Sequence, residues 1–442
     1  MRVLQLTAGT GRFFCGTCLR DNTLVLALRR LGHDVVMVPL YLPMHVGPVD
    51  ASEGAPVYFG GINTYLQQFS GFFRALPRWL DRALDTRPVL GMAARKAGMT
   101  DPADLGELTI SMLRGAEGHQ KKEVERLCRY LETLEKPDVI CLSNALLAGL
   151  AQPLRERLGV PVVCTLQGED GFLDAMPDAD RTEAWSVLAQ VAAHVDGFVA
   201  VSRYHGDLMT ARLRLRAERV HVVRNGIDVS EIAPRASLPG VPTIGYLARM
   251  CHDKGLHVLV DAYIALRARW PSHLQAPQLE IGGVMNGIDV PYVDGLRRRL
   301  DEAGLSADVR FRPNLTHAEK IAFFADLTVF SVPAVYSESF GLYALEAMAA
   351  GVPVVLPRHA ALTELVEATG GGRLFDPADP DDLAAALGDL LKDPATAEAI
   401  GLRARASAQA DYHAERMAAE VADVFARTVA LHHPRGKGDA TR

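Results

Sequence analysis

The sequence has little of several features that would narrow its class at once. In 442 residues there is no apolar run of the roughly 18 residues that a membrane-spanning helix needs. The N-terminal stretch MRVLQLTAGTGRFF lacks the basic start and long apolar run of a secretory signal peptide, and its pattern predicts a first strand. We therefore expect a cytoplasmic protein.

The sequence also has few cysteines and only a small net charge. Six cysteines scattered through so long a chain predict reduced thiols rather than a disulfide framework. Cys15 and Cys18 have C-x-x-C spacing, but a structural zinc takes about four ligands and no second pair of this kind is visible, so we predict no metal. A net charge of −6 and a pI near 6.2 exclude a nucleic-acid partner held by bulk positive charge.

The chain does contain a repeated pattern of strand, turn and helix. Its length suits two α/β domains. In the first half, short apolar runs bounded by polar or Gly/Pro residues predict strands at Val3–Thr7, His33–Leu40, Asp138–Leu142, Val160–Thr165, Gly197–Val201 and Val220–Val223. Such strands, separated by helical segments such as Asp21–Arg30 and Glu123–Leu134, predict a buried parallel sheet.

The second half repeats this plan after a Pro- and Gly-containing seam at 233–241. Strands are predicted at Thr243–Leu247, Gln278–Gly282, Val309–Arg312, Leu327–Val332 and Val352–Leu356, and helices at Gly255–Arg269, Val293–Ala303, Thr316–Phe324, Gly341–Ala350 and Asp381–Leu391. We predict Rossmann-like domains at 1–232 and 233–410, a helix at 411–430 that returns to the first domain, and a mobile tail at 431–442. Ligands of doubly wound sheets bind at the carboxyl ends of the strands.

The segment 337–354 places two glutamates around a strand-to-helix corner. Gly341 allows close backbone approach to a ligand, and the N–H groups of Gly341 and Leu342 would point at an anion. Glu338 precedes the corner and Glu346 follows it by about two turns, so one carboxylate could bond sugar hydroxyls and the other ribose hydroxyls. The alternative is a capped helix with two solvated glutamates. We also predict that the corner residues contact the same ligand, the sugar donor; these are Ser339, Phe340, Gly341 and Leu342.

A second segment adds positive charge to the same domain. Arg249 lies at the end of the first strand of the second half, and Lys254 precedes the next helix. Together they could form a fork for a diphosphate leaving group, although a single basic pair is more often an ordinary surface feature. Both segments follow the carboxyl ends of strands, so they can face one crevice.

These residues resemble those of the GT-B glycosyltransferases, and of glycosyltransferase family 4 in particular. Glu338 and Glu346 match the E-x7-E signature of that family, Arg249 and Lys254 match its diphosphate-binding pair, and Asn225–Asp228 matches its N-G-[IV]-D turn. The resemblance covers nearly the whole chain. It implies two Rossmann-like domains facing each other across a cleft, and a retaining transfer that needs no bound metal or other cofactor. It assigns catalytic roles to Glu338, Arg249 and Lys254.

The glycine-rich loop after the first strand, Ala8–Asn22, is the first of two segments in the first domain that could meet a ligand. Its place before a helix suits contact with the diphosphate through Gly11 or with the acceptor through Arg12. A purely structural turn is the alternative, since Gly-rich loops are common.

The other segment follows the predicted strand Val160–Thr165. Many family members carry a donor-binding histidine where Gln167 stands, and a glutamine can form hydrogen bonds but cannot act as an acid or base. Glu169 and Asp170 could bind acceptor hydroxyls or simply cap a helix. Arg203 and His205 follow the strand Gly197–Val201 and are further candidates for the acceptor site, although a lone histidine is more often structural.

An insertion at about 57–118 is rich in aromatic residues and arginine. It weakly resembles the corresponding region of glycogen and starch synthases and could form an acceptor wall. An arginine-flanked apolar helix can also lie on lipid, which would give peripheral membrane contact. A packed helical insert is the third alternative.

Taken together, the motifs predict a hexosyltransferase that uses a nucleotide-diphosphate sugar, with a UDP-sugar favoured over GDP- or ADP-sugars. The acceptor class (glycan, lipid or small molecule) and the oligomeric state stay open. Two rival hypotheses are a glucan synthase-like enzyme that elongates a polysaccharide and a protein that binds nucleotide sugar without transferring it. The Arg249, Lys254 and glutamate set argues against the second rival, because a scaffold needs no leaving-group site.

Overall fold

The computed structural model describes residues 1–9, 16–41, 49–52, 105–235 and 237–432. Contacts divide the chain into two compact units, Met1–Arg224 with Glu415–Arg442, and Asn225–Ala414. Each unit contains one six-stranded, all-parallel sheet with helices. The predicted α/β class with two doubly wound sheets is confirmed.

The sheet of the first unit has the order β2-β1-β3-β4-β5-β6. Its strands are β1 (Arg2–Thr7), β2 (Asp34–Pro39), β3 (Val139–Leu142), β4 (Val162–Leu166), β5 (Gly197–Ala200) and β6 (Val220–Val222). Strands β3, β4 and β5 are buried along their whole length, as the continuous apolar runs predicted for a parallel sheet covered on both faces.

Eight described helices belong to this unit: α1 (Gly16–Arg30), α2 (Gly106–Leu113), α3 (Lys121–Leu131), α4 (Ala151–Leu158), α5 (Glu169–Asp174), α6 (Asp178–Val191), α7 (Arg203–Leu213) and α15 (Ala414–His432), which begins at the unit boundary. Helix α3 buries Val124, Leu127, Cys128 and Leu131, the apolar stripe that its sequence predicts.

The sheet of the second unit has the order β12-β11-β10-β7-β8-β9. Its strands are β7 (Thr243–Leu247), β8 (Gln278–Gly283), β9 (Val309–Pro313), β10 (Val329–Phe330), β11 (Val354–Pro357) and β12 (Gly372–Phe375). The chain runs outward from β7 to β9, returns to pair β10 with β7, and continues outward on the other side. This is the Rossmann strand order, with its switch point between β7 and β10.

Seven helices complete the second unit: α8 (Leu256–Ala268), α9 (Val290–Glu302), α10 (His317–Ala325), α11 (Leu342–Ala349), α12 (Ala360–Thr369), α13 (Asp382–Lys392) and α14 (Pro394–Asp411). Strand β12 and helices α12 and α14 have no counterpart among the elements predicted from the sequence.

The unit boundaries follow contacts that join distant parts of the chain. The backbone of Ile227 accepts a hydrogen bond from Ala414 N and donates one to Tyr412 O, which groups the N-G-I-D turn with the second unit. Helix α15 packs on the first unit, where Thr428 lies against Gly197. The boundaries predicted from sequence are 232/233 and 410/411.

Parts of the chain predicted to carry function or mobility fall outside the described residues. These are residues 57–104 of the predicted insertion and residues 433–442 of the predicted tail. Residues 106–113 of the insertion form helix α2. Across the described ranges, no helix combines the length and apolarity that crossing a bilayer requires.

Candidate functional site

The loops after β7 and β10 leave one edge of the second sheet side by side. The two strands pair in parallel, so their carboxyl ends point the same way. The loop after β7 carries Arg249 and Lys254, and the loop after β10 carries Glu338. The fold therefore places these three predicted site residues at the switch point of the sheet, where doubly wound folds bind ligands.

Arg249 is held by a carboxylate that the sequence analysis did not single out. Its Nη2 donates to Asp289 Oδ1 at 2.9 Å and its Nε donates to Oδ2 at 3.2 Å, a two-point contact that fixes the guanidinium plane. Asp289 also accepts from Asn286 N, so it is itself fixed at the turn before α9. Burial lowers the pKa of Arg249, but Asp289 outweighs this effect and raises it. The side chain of Arg249 stays 46% exposed, so a ligand can still reach it.

Lys254 is brought to the loop after β10 by a glycine. Gly255 has a φ of +69°, and a Cβ there would come within 1.7 Å of Pro333 O. Only glycine permits both this backbone conformation and this close approach. Asp253 O accepts from Val335 N at 2.9 Å, which joins the two loops directly.

Glu338 receives three hydrogen bonds on one oxygen. Lys254 Nζ and Tyr336 OH each lie 2.7 Å from Oε2, and Tyr343 OH lies 3.1 Å away. Burial alone would raise the pKa of Glu338, but the charge of Lys254 and these three donors lower it below its ordinary value. The carboxylate therefore stays ionised in a site that is nearly closed to solvent.

Helix α11 begins beside this cluster with open backbone donors. Its N-cap is Gly341, with a φ of +92°, and no side chain caps the first turn. The helix dipole and the N–H groups of the first turn favour an anion at such a terminus. Phe340 is buried and its ring lies 6.3 Å from that of Tyr412, so the Phe340 side chain belongs to the core.

Glu346 lies one turn further along α11 and pairs with another residue that sequence reasoning missed. Lys320 Nζ donates to Glu346 Oε1 at 2.5 Å, and both side chains are mostly buried. Glu346 Oε2 makes no hydrogen bond to a described residue. The pair leaves one carboxylate oxygen able to accept from a hydroxyl.

In the first unit, Glu169 accepts hydrogen bonds on both oxygens. Its Oε1 accepts from Ala145 N at 2.7 Å, and its Oε2 accepts from Gln167 N at 2.9 Å and Gly168 N at 3.0 Å. His205 Nε2 lies 3.3 Å from the same Oε2. Burial raises the pKa of Glu169, but the contact with His205 and the backbone donors lower it below its ordinary value. The carboxylate closes the corner between β4 and α5.

Asp170 and His205 are also buried, whereas Arg203 is exposed at the first turn of α7. His205 Nδ1 and Asp170 Oδ1 are 3.6 Å apart, and neither atom has a hydrogen-bond partner within the described part of the chain. Burial raises the pKa of Asp170. Of the four acceptor-site candidates on α5 and α7, three thus lie inside the unit and one lies at its surface.

Gln167 contacts a buried aspartate that has no counterpart in the sequence prediction. Asp21 accepts from Gln167 Nε2 at 3.2 Å, from Arg20 Nη1 at 3.2 Å and from Thr7 Oγ1 at 3.2 Å, and it also accepts from Ser143 Oγ. Burial raises the pKa of Asp21 despite these donors. Its position on the helix after the glycine-rich loop was the available signal, but nothing local marks the residue as buried.

Three other candidates lie outside the described residues: Gly11, Arg12 and Cys15. Cys18 is buried in α1. Among the residues that the structure describes, no three His, Cys, Asp or Glu side chains converge as they would around a metal ion.

Two family models match the chain in succession. The model described as glycosyltransferase family 4 matches residues 112–231, and the model described as glycosyl transferases group 1 matches residues 231–407. The first match lies mainly in the first unit, and the second match covers nearly all of the second unit.

Three curated relatives match about three fifths to two thirds of the chain. A D-inositol 3-phosphate glycosyltransferase from Salinispora arenicola is 30% identical over 311 residues, which cover 65% of this chain and 68% of that enzyme. A glycogen synthase from Mycobacterium tuberculosis is 28% identical, covering 66% and 69%. A GDP-mannose-dependent phosphatidylinositol monomannoside mannosyltransferase from Mycolicibacterium smegmatis is 30% identical, covering 58% and 68%.

Solved structures share the fold over almost the whole chain. Sucrose-phosphate synthase from Thermosynechococcus elongatus superimposes with a TM-score of 0.71 at 20% identity, covering 98% of this chain and 100% of that chain. The Anabaena protein HepE, solved with UDP and glucose, gives a TM-score of 0.66 at 16% identity, covering 97% and 100%. At these identities the likeness establishes the fold.

Proposed function

Because this chain belongs to the family 4 glycosyltransferases, whose paired Rossmann-like domains are called the GT-B fold, we propose that it transfers a sugar from UDP with retention of anomeric configuration. It is a glycosyltransferase that uses a nucleotide sugar, and the base, the stereochemistry and the acceptor are the proposed part. The observation that carries the proposal is the contact between Lys254 and Glu338 beside the uncapped start of α11.

The leaving diphosphate is stabilised by charges that the fold already holds in place. Arg249 and Lys254 supply two cations, and the first turn of α11 supplies backbone donors. Preorganised groups of this kind act where charge develops in the transition state, and each can contribute about 10²–10³ in rate. Because two cations and a helix terminus serve this role, we propose that transfer requires no divalent metal.

The two glutamates bind the parts of the donor on either side of the diphosphate. Glu338 Oε1 makes no hydrogen bond to a described residue, so it can accept from a hydroxyl of the transferred sugar. Glu346 lies one turn further from the diphosphate position and accepts from a ribose hydroxyl. Ser339 to Leu342 contribute backbone donors at the corner between them.

On the acceptor side, we place the exposed Arg203 and the carboxylate of Asp170, with Arg12 from the glycine-rich loop. Gln167 is held by Asp21 and Ser143 O at the carboxyl end of β4, and we assign it to donor binding from its place in the family pattern. Glu169 and His205 have a supporting role on this side. They hold the backbone corner that carries Gln167 and Asp170.

Two observations on the relatives and structural neighbours favour testing other donors and another acceptor. The relatives include a GDP-mannose-dependent enzyme, whereas the neighbour HepE was solved with UDP. They also include a glycogen synthase, so elongation of a glucan is the second candidate function. A glucan synthase would require an oligosaccharide primer, and a small-acceptor transferase would not.

Thermal unfolding against a panel of UDP, GDP, ADP and their sugars, with and without Mg²⁺, tests the donor assignment. A ligand at about one hundred times its dissociation constant adds about 2.7 kcal/mol of stability. We expect the largest shift with UDP compounds and the same shift after chelation of Mg²⁺. A larger shift with GDP or ADP compounds would replace UDP as the proposed donor nucleotide, and no shift with any compound would count against the proposed donor site. Once a product is made, the anomeric coupling in its NMR spectrum reports retention or inversion.

A further inference from the structure

Two tyrosines surround the lysine and the glutamate of the donor site. Tyr336 precedes Glu338 by two residues, and Tyr343 lies in the first turn of α11. Both phenol groups donate to Glu338 Oε2, at 2.7 Å and 3.1 Å. Lys254 Nζ also donates to Tyr336 OH at 2.5 Å and lies 5.3 Å from the centroid of the Tyr343 ring. The family signature that covers Glu338 and Glu346 includes neither tyrosine.

This arrangement makes the two oxygens of Glu338 unequal. Oε2 accepts from three donors, whereas Oε1 makes no hydrogen bond to any described residue. Three hydrogen bonds to Oε2 leave the carboxylate little freedom to rotate. A fixed Oε1 can then present a lone pair to a ligand hydroxyl without loss of side-chain entropy on binding.

We propose that Tyr336 and Tyr343 are positioning residues that hold Glu338 ready for the donor sugar. The inference rests on the proposed function of this site. It gives the sugar-binding carboxylate a support that persists when its lysine partner turns to a phosphate.

The need for such a support follows from burial. Glu338 is 9% exposed, and a buried carboxylate that loses its cation is strongly disfavoured. When a diphosphate binds, Lys254 shares its charge with the phosphate oxygens. The phenols of Tyr336 and Tyr343 then remain as donors to Oε2 and keep Glu338 ionised. Neutral phenol donors achieve this without adding a cation that would compete with Lys254.

Burial and the surrounding charges keep both tyrosines protonated. Burial raises the pKa of Tyr336 and of Tyr343, and Glu338 raises them further. Cys251 and Asp253, in the loop before α8, act on Tyr336 in the same direction. Tyr336 and Tyr246 act on Tyr343 in the same direction. The His359 ring also lies close to this loop, with its Nε2 3.4 Å from Ser337 Oγ. Both phenols therefore stay hydrogen-bond donors throughout the neutral range.

The test compares Tyr336→Phe, Tyr343→Phe and the double variant with wild type, using UDP and UDP-glucose as probes in titration calorimetry between pH 5 and 8. Tyr263→Phe is the matched control, because its buried phenol donates to Pro277 O in the same unit and touches neither Lys254 nor Glu338. Phenylalanine keeps the ring and removes only the hydroxyl, so folding should be retained and is checked by thermal unfolding.

We expect each single variant to weaken UDP-glucose binding by about fivefold and the double variant by about thirtyfold, with UDP binding changed less than about threefold. The pH below which UDP-glucose affinity falls should rise by about one unit in the double variant, because lost hydrogen bonds let Glu338 take up a proton more easily. The control should match wild type in both measurements.

Equal losses for UDP and UDP-glucose, or an unmoved pH dependence, would overturn the inference and leave the tyrosines with a packing role. Absence of binding by the wild-type protein is a different result, because it would remove the proposed UDP-sugar function and the inference together. Binding by wild type with unchanged affinities in all three variants would leave the function standing and reject the positioning role alone.

Discussion

Each unit has a buried glutamate beyond the carboxyl end of a strand of its sheet, but the hydrogen bonds of the two carboxylates differ. In the first unit, Glu169 accepts hydrogen bonds on both oxygens from three backbone N–H groups, and the His205 ring lies beside one of those oxygens. In the second unit, Glu338 accepts three hydrogen bonds on one oxygen and none from a described residue on the other. A carboxylate with both oxygens occupied serves the local fold, whereas one with an available oxygen can also bind a ligand.

The same contrast holds for backbone donors. Glu169 occupies the N–H groups at the corner between β4 and α5, while the first turn of α11 has no side-chain cap. The first corner is therefore closed by the protein itself and the second is open to an anion. Substitutions in the second unit should change transfer, and those at Glu169 should change stability first.

The largest expected effect is on transfer. Lys254→Ala, Arg249→Ala and Glu338→Gln should each lower turnover by about 10²–10³, because each removes a group aimed at the diphosphate or the sugar. Turnover is measured as release of the nucleoside diphosphate with the donor and acceptor found by screening, and folding is checked by circular dichroism.

Arg297→Ala is the control for charge removal, since Arg297 pairs with Asp294 on the exposed face of α9. It should retain wild-type turnover. Wild-type turnover in all three site variants would show that the site has been assigned to the wrong residues.

The next effect concerns the glycine that brings Lys254 into place. Gly255→Ala should lower the free energy of unfolding by about 3–4 kcal/mol, because the new Cβ would overlap Pro333 O in a left-handed backbone conformation. Urea denaturation measures the change, and donor affinity should fall with it.

Gly304→Ala separates conformation from contact. Gly304 has the same φ of +69°, but no atom lies within 4 Å of the position that a Cβ would take there, so only the conformational cost of about 1 kcal/mol applies. Equal destabilisation by the two substitutions would show that the close approach to Pro333 does not matter.

An effect smaller than that of Gly255→Ala is expected in the first unit. Glu169→Ala should cost about 2–3 kcal/mol at pH 7, because it leaves buried N–H groups without an acceptor. The pKa of Glu169 is lowered in the folded protein, so its stabilisation is present above the unfolded pKa and is lost as the pH falls through the folded pKa. Urea denaturation at several pH values measures both.

Asp170→Asn is the matched comparison, because we expect it to raise the free energy of unfolding at pH 7 whereas Glu169→Ala lowers it. Burial raises the pKa of Asp170, so its ionised form opposes folding above the folded pKa, and this cost disappears as the pH falls below the unfolded pKa. The variant should be up to about 1 kcal/mol more stable at pH 7 and equal to wild type in acid. Destabilisation at neutral pH would show that the Asp170 charge favours the fold.

Some elements could not be predicted because they lack the usual pattern. Strand β12 begins in a run of three glycines and is only partly buried, so it has neither strict alternation nor a continuous apolar run. Helix α14 buries Ala397, Gly401, Ala404 and Ala408, small residues that form no hydrophobic stripe. Both elements form because neighbouring elements cover them, and that is a tertiary effect.

Sequence patterns were sufficient to predict the alternation of strands and helices, the α/β class and the positions of Arg249, Lys254, Glu338 and Glu346 beside strand ends. Periodicity and motif spacing are local properties, so they can be read from one chain. The partners of these residues became apparent from the three-dimensional contacts: Asp289 for Arg249, Lys320 for Glu346, and the tyrosine pair for Glu338. Asp289 lies 40 residues from Arg249 and Lys320 lies 26 residues from Glu346. The two tyrosines lie within five residues of Glu338, but the three of them reach Lys254 because β10 returns to pair with β7. Burial and charge pairing depend on that return, and no local pattern encodes it.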